Sequence, residues 1–371
     1  MHSPSEYSNW LEIDRAAIRR NISRLRDLTG VRVMAVVKAN GYGHGLVEVA
    51  RAAALAGAAY CGVARVEEGL ELRQAGVELP VLVLGYAPDE RLSEAIGHDL
   101  SLTAYLASQV PALRGAAQRA GRAARVHVKV DTGMGRLGVP PDQAFELMRL
   151  LKGSPQVVTE GVFTHFARAD EPSQPTTAAQ ESLFLDLLAE LESAGLLPPL
   201  VHAANSAAAL TRPSTHFGMV RTGIALYGMC PSAEVPLPDG FEPALTWKSA
   251  LSSVRVLPPG SGVSYGHDYT TRGAERVGVV PVGYGDGYRR GPGNEVLVHG
   301  RRVPVVGRVC MDQLMVSLDG APDAAVGDEV VLIGPQQDDA IRAEDVAQRW
   351  QTINYEVTCG LGARVPRIYV G

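Results

Sequence analysis

Between residues 14 and 240 two hydrophobic periods alternate along the chain. Apolar side chains recur at helical spacing over 14–29, 47–56, 67–74, 89–96, 108–120, 142–151 and 178–194. Among these stretches fall short runs of strand type, at 31–37, 59–64, 81–86, 101–106, 125–130, 157–165, 200–204 and 217–224. Several runs are apolar throughout, as parallel strands covered on both faces are. Eight such strand–helix units predict a (β/α)8 barrel rather than a doubly wound sheet, with one helix ahead of the first strand.

After residue 241 the texture changes. Strand-like runs at 246–257, 276–282, 295–299, 313–318 and 329–333 are separated by Gly, Pro and Asp turns, and one helix is predicted over 343–350. This reads as a second, mostly β domain. The expected division is a barrel over 12–240 and a β domain over 241–371, the latter joined by the N-terminal segment 1–11. No repeat of 20–50 residues and no linker tract interrupts the pattern.

Composition narrows the class without deciding it. The 371 residues are 46% hydrophobic and 20% charged, and Gly 40 with Pro 24 stays below the low-complexity range, which excludes disorder as the main state. A net charge of −5 gives no argument for a nucleic acid or an anionic membrane as partner. Cys61, Cys230, Cys310 and Cys359 are dispersed and form no C-x-x-C pair, which argues against a zinc site or a disulfide framework. Glu6, Glu12 and Asp14 break the N-terminal segment, so it does not read as a signal peptide. The longest charge-free stretch, 193–211, holds Pro198, Pro199, His202 and Asn205 and does not read as a membrane helix. A cytoplasmic protein is expected.

In a barrel the chemistry stands where strands end and βα loops begin. The first strand runs into Lys38 and then Asn40-Gly41-Tyr42-Gly43-His44-Gly45. The fifth carries Lys129 and Asp131 into Gly133-Met134-Gly135-Arg136. The sixth ends in His165, the seventh leads to Asn205-Ser206, and the eighth ends in Arg221-Thr222-Gly223-Ile224. Each feature has a plain structural reading. Lys38 alone is as easily a cation reaching for solvent. The glycines alone are a tight turn. His165 alone is a barrel-rim histidine, and Ser206 alone an N-cap. Their convergence on one rim points to a site. A desolvated Lys becomes a usable amine nucleophile able to form a Schiff base. Backbone N–H groups at Gly223 and Ile224, with the Ser206 hydroxyl, suit a phosphate. Lysine, phosphate cradle and arginine together are what pyridoxal phosphate requires.

The sequence resembles the alanine racemase family. The matching segments are 35–45, 127–138, Thr164-His165-Phe166-Ala167, Asn205-Ser206-Ala207-Ala208, Val263-Ser264-Tyr265-Gly266, Gly283-Tyr284-Gly285-Asp286-Gly287, Val309-Cys310-Met311-Asp312-Gln313 and Thr352-Ile353-Asn354-Tyr355-Glu356. They span essentially the whole chain in the family's order. The resemblance implies a two-base racemase that binds pyridoxal 5'-phosphate, interconverts L- and D-alanine for peptidoglycan, and works as a homodimer with shared active sites. It assigns Lys38 as the cofactor lysine and one base, and Tyr265 as the second base, entering the partner's barrel. Tyr42, Asn205, Ser206, Gly223, Ile224 and Tyr355 would hold the cofactor, the phosphate above all. Arg221 would face the pyridine nitrogen and back His165, and His165 would hydrogen-bond Tyr265. Arg136, Met311 and Asp312 would contact substrate, Arg136 also the cofactor. Tyr284 and Tyr355 would gate the entrance, and Lys129 would be N-carboxylated, a free amine paired with Asp131 being the plain alternative. Thr222, His267, Asp268 and Arg289 depart from the family's usual residues. Serine or broad-specificity racemisation, a decarboxylase of the same cofactor-fold type and a non-catalytic cofactor carrier are the competing expectations.

Overall fold

The computed structural model describes residues 6–371; the rest of the segment 1–11 lies outside the described residues. Two compact units emerge. One is residues 17–242, and the other joins the described residues up to Ala16 with Pro243–Gly371.

The first unit is the barrel. Ahead of it run β1 (Asn9–Asp14), which belongs to the other unit, and α1 (Arg15–Thr29). The barrel strands are β2 (Arg32–Val36), β3 (Tyr60–Val63), β4 (Val81–Val83), β5 (Leu100–Ala104), β6 (Ala124–Lys129), β7 (Val157–Phe163), β8 (Leu200–His202) and β9 (Met219–Thr222). Neighbours pair in parallel in the order β8-β7-β6-β5-β4-β3-β2-β9. The ring closes between β8 and β9, where Gly218 N–H donates to Val201 O at 3.1 Å and Arg221 N–H to Ala204 O at 2.9 Å. The predicted barrel is the observed one. Its strands bury nearly every side chain because helices cover the outer face, and Val81, Leu82 and Val83 of β4 are fully buried.

Helices α2 (Leu46–Leu55), α3 (Val66–Gln74), α4 (Asp89–Gly97), α5 (Gln109–Ala120), α6 (Pro141–Lys152), α7 (Thr176–Ser193) and α8 (Ser206–Thr211) follow successive strands. Helix α1 buries Ile18, Ile22 and Leu25 on one face. Its buried Asn21 donates to Leu226 O at 3.1 Å and Glu242 O at 2.8 Å and accepts from Glu242 N–H at 3.0 Å, which ties the barrel's two chain ends together.

The second unit is mostly β. Its strands are β10 (Leu245–Ala250), β11 (Ser253–Leu257), β12 (Gly262–Val263), β13 (Tyr269–Thr270), β14 (Glu275–Val280), β15 (Glu295–Val298), β16 (Arg301–Pro304), β17 (Leu314–Ser317), β18 (Glu329–Gln336), β19 (Asp339–Ile341) and β20 (Arg367–Val370). The main sheet runs β16-β15-β18-β10-β1-β20, with β19 on β18; a second sheet runs β11-β14-β17. Strand β1 lies antiparallel to β10 and parallel to β20. The run expected as one strand over 246–257 is two strands in two sheets. The chain crosses at Leu251, whose N–H donates to Asp328 O at 2.9 Å, and Ser252, whose N–H donates to Val279 O at 2.8 Å. A period-two pattern does not register such a change of partner, because it marks the faces of a strand and not which strand lies alongside. Helices α9 (Ala343–Trp350) and α10 (Asn354–Cys359) complete the unit. Among the described residues no helix is long and apolar enough to cross a membrane.

Candidate active site

Strand β2 delivers Lys38 to the barrel's C-terminal rim, half-buried. Immediately after it the backbone turns left-handed, with φ of 54° at Ala39, 53° at Asn40, 60° at Gly41, 53° at Tyr42 and 86° at Gly43. Each non-glycine residue there costs about 1–2 kcal/mol, so the surroundings must hold the turn. Gly41 N–H donates to Val37 O at 2.7 Å and Gly45 N–H to Asn40 O at 2.8 Å. The Asn40 side chain accepts from Leu46 N–H at 2.9 Å, at the start of α2. Glu68 accepts from Ala39 N–H and from Ala64 N–H, both at 2.7 Å, and so staples the loops after β2 and β3. His44 is fully buried, and its Nδ1 lies 3.1 Å from Gly41 O and 3.0 Å from Tyr42 O. Both partners only accept, so Nδ1 carries the proton. The glycines of this turn are visible in the sequence; the Glu68 and His44 hydrogen bonds that hold it are not.

Opposite this turn stands a small cradle. The Tyr42 ring lies 5.0 Å from that of Tyr227. Its hydroxyl rests against Gly223, where a Cβ would stand 2.3 Å from that oxygen. Buried Ser206 Oγ accepts from Gly223 N–H at 2.9 Å. The Ile224 N–H opens the short turn Ile224–Tyr227 and has no partner within it. The N-cap of α8 is Asn205, not Ser206: its side chain accepts from Ala208 N–H at 3.0 Å. That leaves the Ser206 hydroxyl in the cradle.

Cations dominate the rim. Arg221 is buried, and its donors meet only neutral acceptors. Nη1 reaches His202 O at 2.9 Å and His202 Nδ1 at 3.1 Å; Nη2 reaches Thr164 O at 2.7 Å, Ala203 O at 2.9 Å and His165 Nδ1 at 3.4 Å. Its Nε–H meets no acceptor among the described residues. Burial pulls its pKa down to about 9, which leaves it a cation at neutral pH. His165 is held well below the usual imidazole range by burial and by Arg221, Arg136, Lys129 and Lys38. It is therefore neutral. Its Nδ1 faces a donor, so Nε2 carries its proton.

Lys129, at the end of β6, is 5% exposed and lies 5.7 Å over the Phe163 ring. Burial, then Arg136 and Arg221, lower its pKa to about 8. It makes no ion pair with Asp131. That carboxylate instead accepts from the N–H groups of Gly133 at 3.0 Å, Met134 at 2.8 Å, Gly135 at 3.1 Å and Arg136 at 3.2 Å, which shapes the loop carrying exposed Arg136. These bonds outweigh burial and lower the Asp131 pKa. Lys38, Lys129, Arg136 and Arg221 thus line the rim, and the nearby carboxylate is already occupied by backbone donors.

The remaining expected residues lie in the β unit. Tyr265, Met311 and Asp312 line one open recess of about 670 Å³, with Ser264 and Cys310 beside them. Tyr265 is 66% exposed. Its turn is strained, with φ of 64° at Ser264 and 50° at His267, and Ser264 Oγ anchors it to Arg308 O at 2.6 Å. Tyr284 is exposed, with Arg290 5.4 Å over its ring. Its N–H donates to Cys310 O at 3.0 Å, and Gly285 N–H to Met311 O at 2.9 Å. Gly283 is required here, since a Cβ would stand 2.2 Å from Met311 O. Arg364, which the sequence reading missed, bridges Asp286 at 2.7 Å and Asp312 at 2.8 Å. Tyr355 is half-buried on α10. Two departures from family usage have local partners: Asp268 pairs with Arg308 at 2.5 Å, and Arg289 with Glu356 at 2.7 Å.

Comparison with known proteins follows the same two units. A family model described as the alanine racemase N-terminal domain matches residues 13–231, and one described as the alanine racemase C-terminal domain matches 244–369. The chain is 47% identical over 365 residues to an alanine racemase of Symbiobacterium thermophilum, covering 98% of this chain and 97% of that one. Among solved structures, an alanine racemase from D-cycloserine-producing Streptomyces lavendulae superposes with a TM-score of 0.94 at 42% identity, covering 100% and 98% of the two chains. An alanine racemase of Clostridium difficile gives 0.94 at 40% identity, covering 98% and 96%.

Proposed function

We propose the chemistry of this chain from one premise: it belongs to the alanine racemase family. It is an isomerase that interconverts L-alanine and D-alanine, and supply of D-alanine to peptidoglycan is its proposed use. The observation that carries the site assignment is the convergence of Lys129, Arg136 and Arg221 with Lys38 on one rim, where the Asp131 carboxylate is held by backbone N–H groups. The cofactor assigned to it is pyridoxal 5'-phosphate, which when bound withdraws electrons from the amino acid's Cα and acidifies its Cα–H. The residues present fit that group. Gly223 leaves room beside the Tyr42 hydroxyl, Ser206 and the Ile224 N–H face the same cradle, and Tyr355 and Asn205 complete the proposed set. The Arg221 Nε–H is the donor assigned to the ring nitrogen. Arg221 gives up no proton at working pH, so it keeps that nitrogen unprotonated.

Lys38 is the residue that would hold the cofactor in the resting enzyme, and its freed amine would move the proton on one face of Cα; Tyr265 Oη would move it on the other. An ordinary tyrosine, with a pKa near ~10, is a poor base at neutral pH. The Nε2–H of neutral His165 is the donor that steadies its phenolate, with Arg221 behind it. Arg136, with Met311 and Asp312, orients the substrate carboxylate. Lys129 is assigned as N-carboxylated: its neutral amine adds to CO2, releases a proton and becomes an anion that holds Arg136. Tyr265 is assigned to act in a second copy's barrel, an arrangement supported by its exposure on its own chain; the active form is then a head-to-tail homodimer. Cytoplasmic placement rests on the dispersed cysteines, which suit a reducing compartment.

Two assays test this reading. Borohydride treatment of the yellow holoenzyme should attach the cofactor to the peptide bearing Lys38, and attachment to any other lysine would sink the assignment. Racemisation of L-alanine, L-serine and L-lysine, measured side by side, separates an alanine enzyme from a broad-specificity one.

A further inference from the structure

Below Arg221 the barrel interior holds a chain of titratable groups that the rim chemistry does not use. We propose that Glu160 and His127 are positioning residues that act through His202, in one fixed order of protons, to set the pose of Arg221. The inference rests on the role assigned to Arg221 above.

The order follows from donors and acceptors. A guanidinium only donates. Arg221 Nη1 lies 3.1 Å from His202 Nδ1, so that nitrogen accepts and the His202 proton sits on Nε2. His202 Nε2 lies 2.9 Å from His127 Nδ1, which therefore accepts, and the His127 proton sits on its own Nε2. That N–H faces Glu160 Oε2 at 3.6 Å, an electrostatic contact longer than a hydrogen bond. Ser101 Oγ donates to the same oxygen at 2.7 Å, and Arg125 lies 3.4 Å from Oε1. Every proton between Arg221 and the carboxylate thus points the same way.

The backbone is shaped for this chain. Along β6 and β7, Val126 faces Thr159 but His127 faces Gly161, so Glu160 is the extra residue of a bulge. Bulges re-aim a side chain and are often found beside active sites. At Gly161 a Cβ would stand 2.4 Å from His127 Nδ1, so only glycine admits the ring. A regular apolar strand would close the barrel without either feature. Phe163 stacks on His202 at 4.8 Å and 8°, with Arg221 5.2 Å from its centroid, which fixes the imidazole plane.

Both imidazoles are fully buried and neutral. Burial lowers His127, partly offset by Glu160, and burial with Arg221 holds His202 well below its usual range. Burial opposes ionisation of Glu160, but the facing His127 N–H and the hydrogen bond from Ser101 keep it below the usual carboxylate range. Two polarised neutral rings carry the carboxylate's attraction to Arg221 without placing negative charge against the ring site. A His202 proton on Nδ1 would instead meet the Arg221 donor head-on and displace it.

Neutron diffraction on the deuterated holoenzyme tests the order directly. Deuterons are expected on Nε2 of both His127 and His202, and a deuteron on Nδ1 of either ring overturns the relay. Glu160→Leu should lower kcat about tenfold with KM nearly unchanged, and should shift the cofactor's absorption band. Glu160→Gln, whose amide oxygen can still accept, should recover to within about threefold of wild type. A folded Glu160→Leu enzyme with wild-type kcat and absorption removes the positioning role. The wild-type deuterons can be read even if that variant does not fold. Absence of racemisation in the wild type would overturn the proposed function without moving the deuterons, so the two readings fail separately.

Discussion

Lys129 shows how much one side chain's surroundings decide. A buried ammonium beside two guanidinium groups is costly unless an anion answers it, and Asp131 is held by four backbone donors. With its pKa lowered to about 8, the amine is neutral in about a tenth of molecules at pH 7, and only the neutral amine adds to CO2. The sign is therefore fixed: carbamate occupancy rises as pH rises through about 8 and falls below it. Carbon-13 NMR of protein equilibrated with labelled bicarbonate should show a carbamate carbon that weakens on acidification and is missing from Lys129→Ala. An unmodified amine at every pH removes the assignment. Tyr355 is the proposed gate residue, and its ring and hydroxyl would together restrict side-chain size there. Tyr355→Ala should raise kcat/KM for L-serine relative to L-alanine about tenfold; an unchanged ratio would dismiss the gate. Lys38, Lys129 and Tyr355 could all be picked out along the chain. Their surroundings could not, because Arg221 and Lys38, which help to shift Lys129, and the burial around it come from strands distant in sequence.

At the scale of elements, the two loops that hold proposed site residues are fixed by hydrogen bonds and close approaches rather than by helix or strand propensity. The left-handed turn after β2 depends on Glu68 and His44. In the β unit, the Tyr284 turn lies against the Met311 carbonyl so closely that Gly283 admits no side chain. Gly283→Ala should displace the segment holding Met311 and Asp312. A shift of that size is expected to lower kcat/KM for alanine by up to about a hundredfold, mostly through KM. The cofactor's absorption should stay as in wild type, because the barrel keeps its own contacts. Steady-state kinetics with the absorption spectrum checks both, and a wild-type KM would show that the turn does not position substrate. The seven long barrel-unit helices and the eight barrel strands were legible because their periods repeat. The sheet change at Leu251 and the bulge at Glu160 were not, since each depends on which strand lies alongside.

For the whole molecule, the proposed trans arrangement makes a quantitative prediction. Lys38→Ala and Tyr265→Ala dimers should each be nearly inactive. After dissociation and random re-association of an equal mixture, half the dimers are mixed, and a trans site leaves one of their two sites intact. Activity should then recover to about a quarter of wild type. In a cis arrangement every site keeps one lesion, and verified subunit exchange without recovery would exclude the trans assignment. The sequence by itself determined the barrel followed by a β domain, because burial against helices writes apolar runs at fixed periods, and it determined the family through motifs spread over both. It also marked Lys38, Tyr265 and the residues around them. Only the tertiary structure decided that β1 lies between β10 and β20, that Asn205 rather than Ser206 caps its helix, and that Arg221 rests on His202, His127 and Glu160. Strand pairing and the direction of a buried proton depend on atoms far apart in sequence, and the cap depends on backbone angles within one turn. No local period carries them.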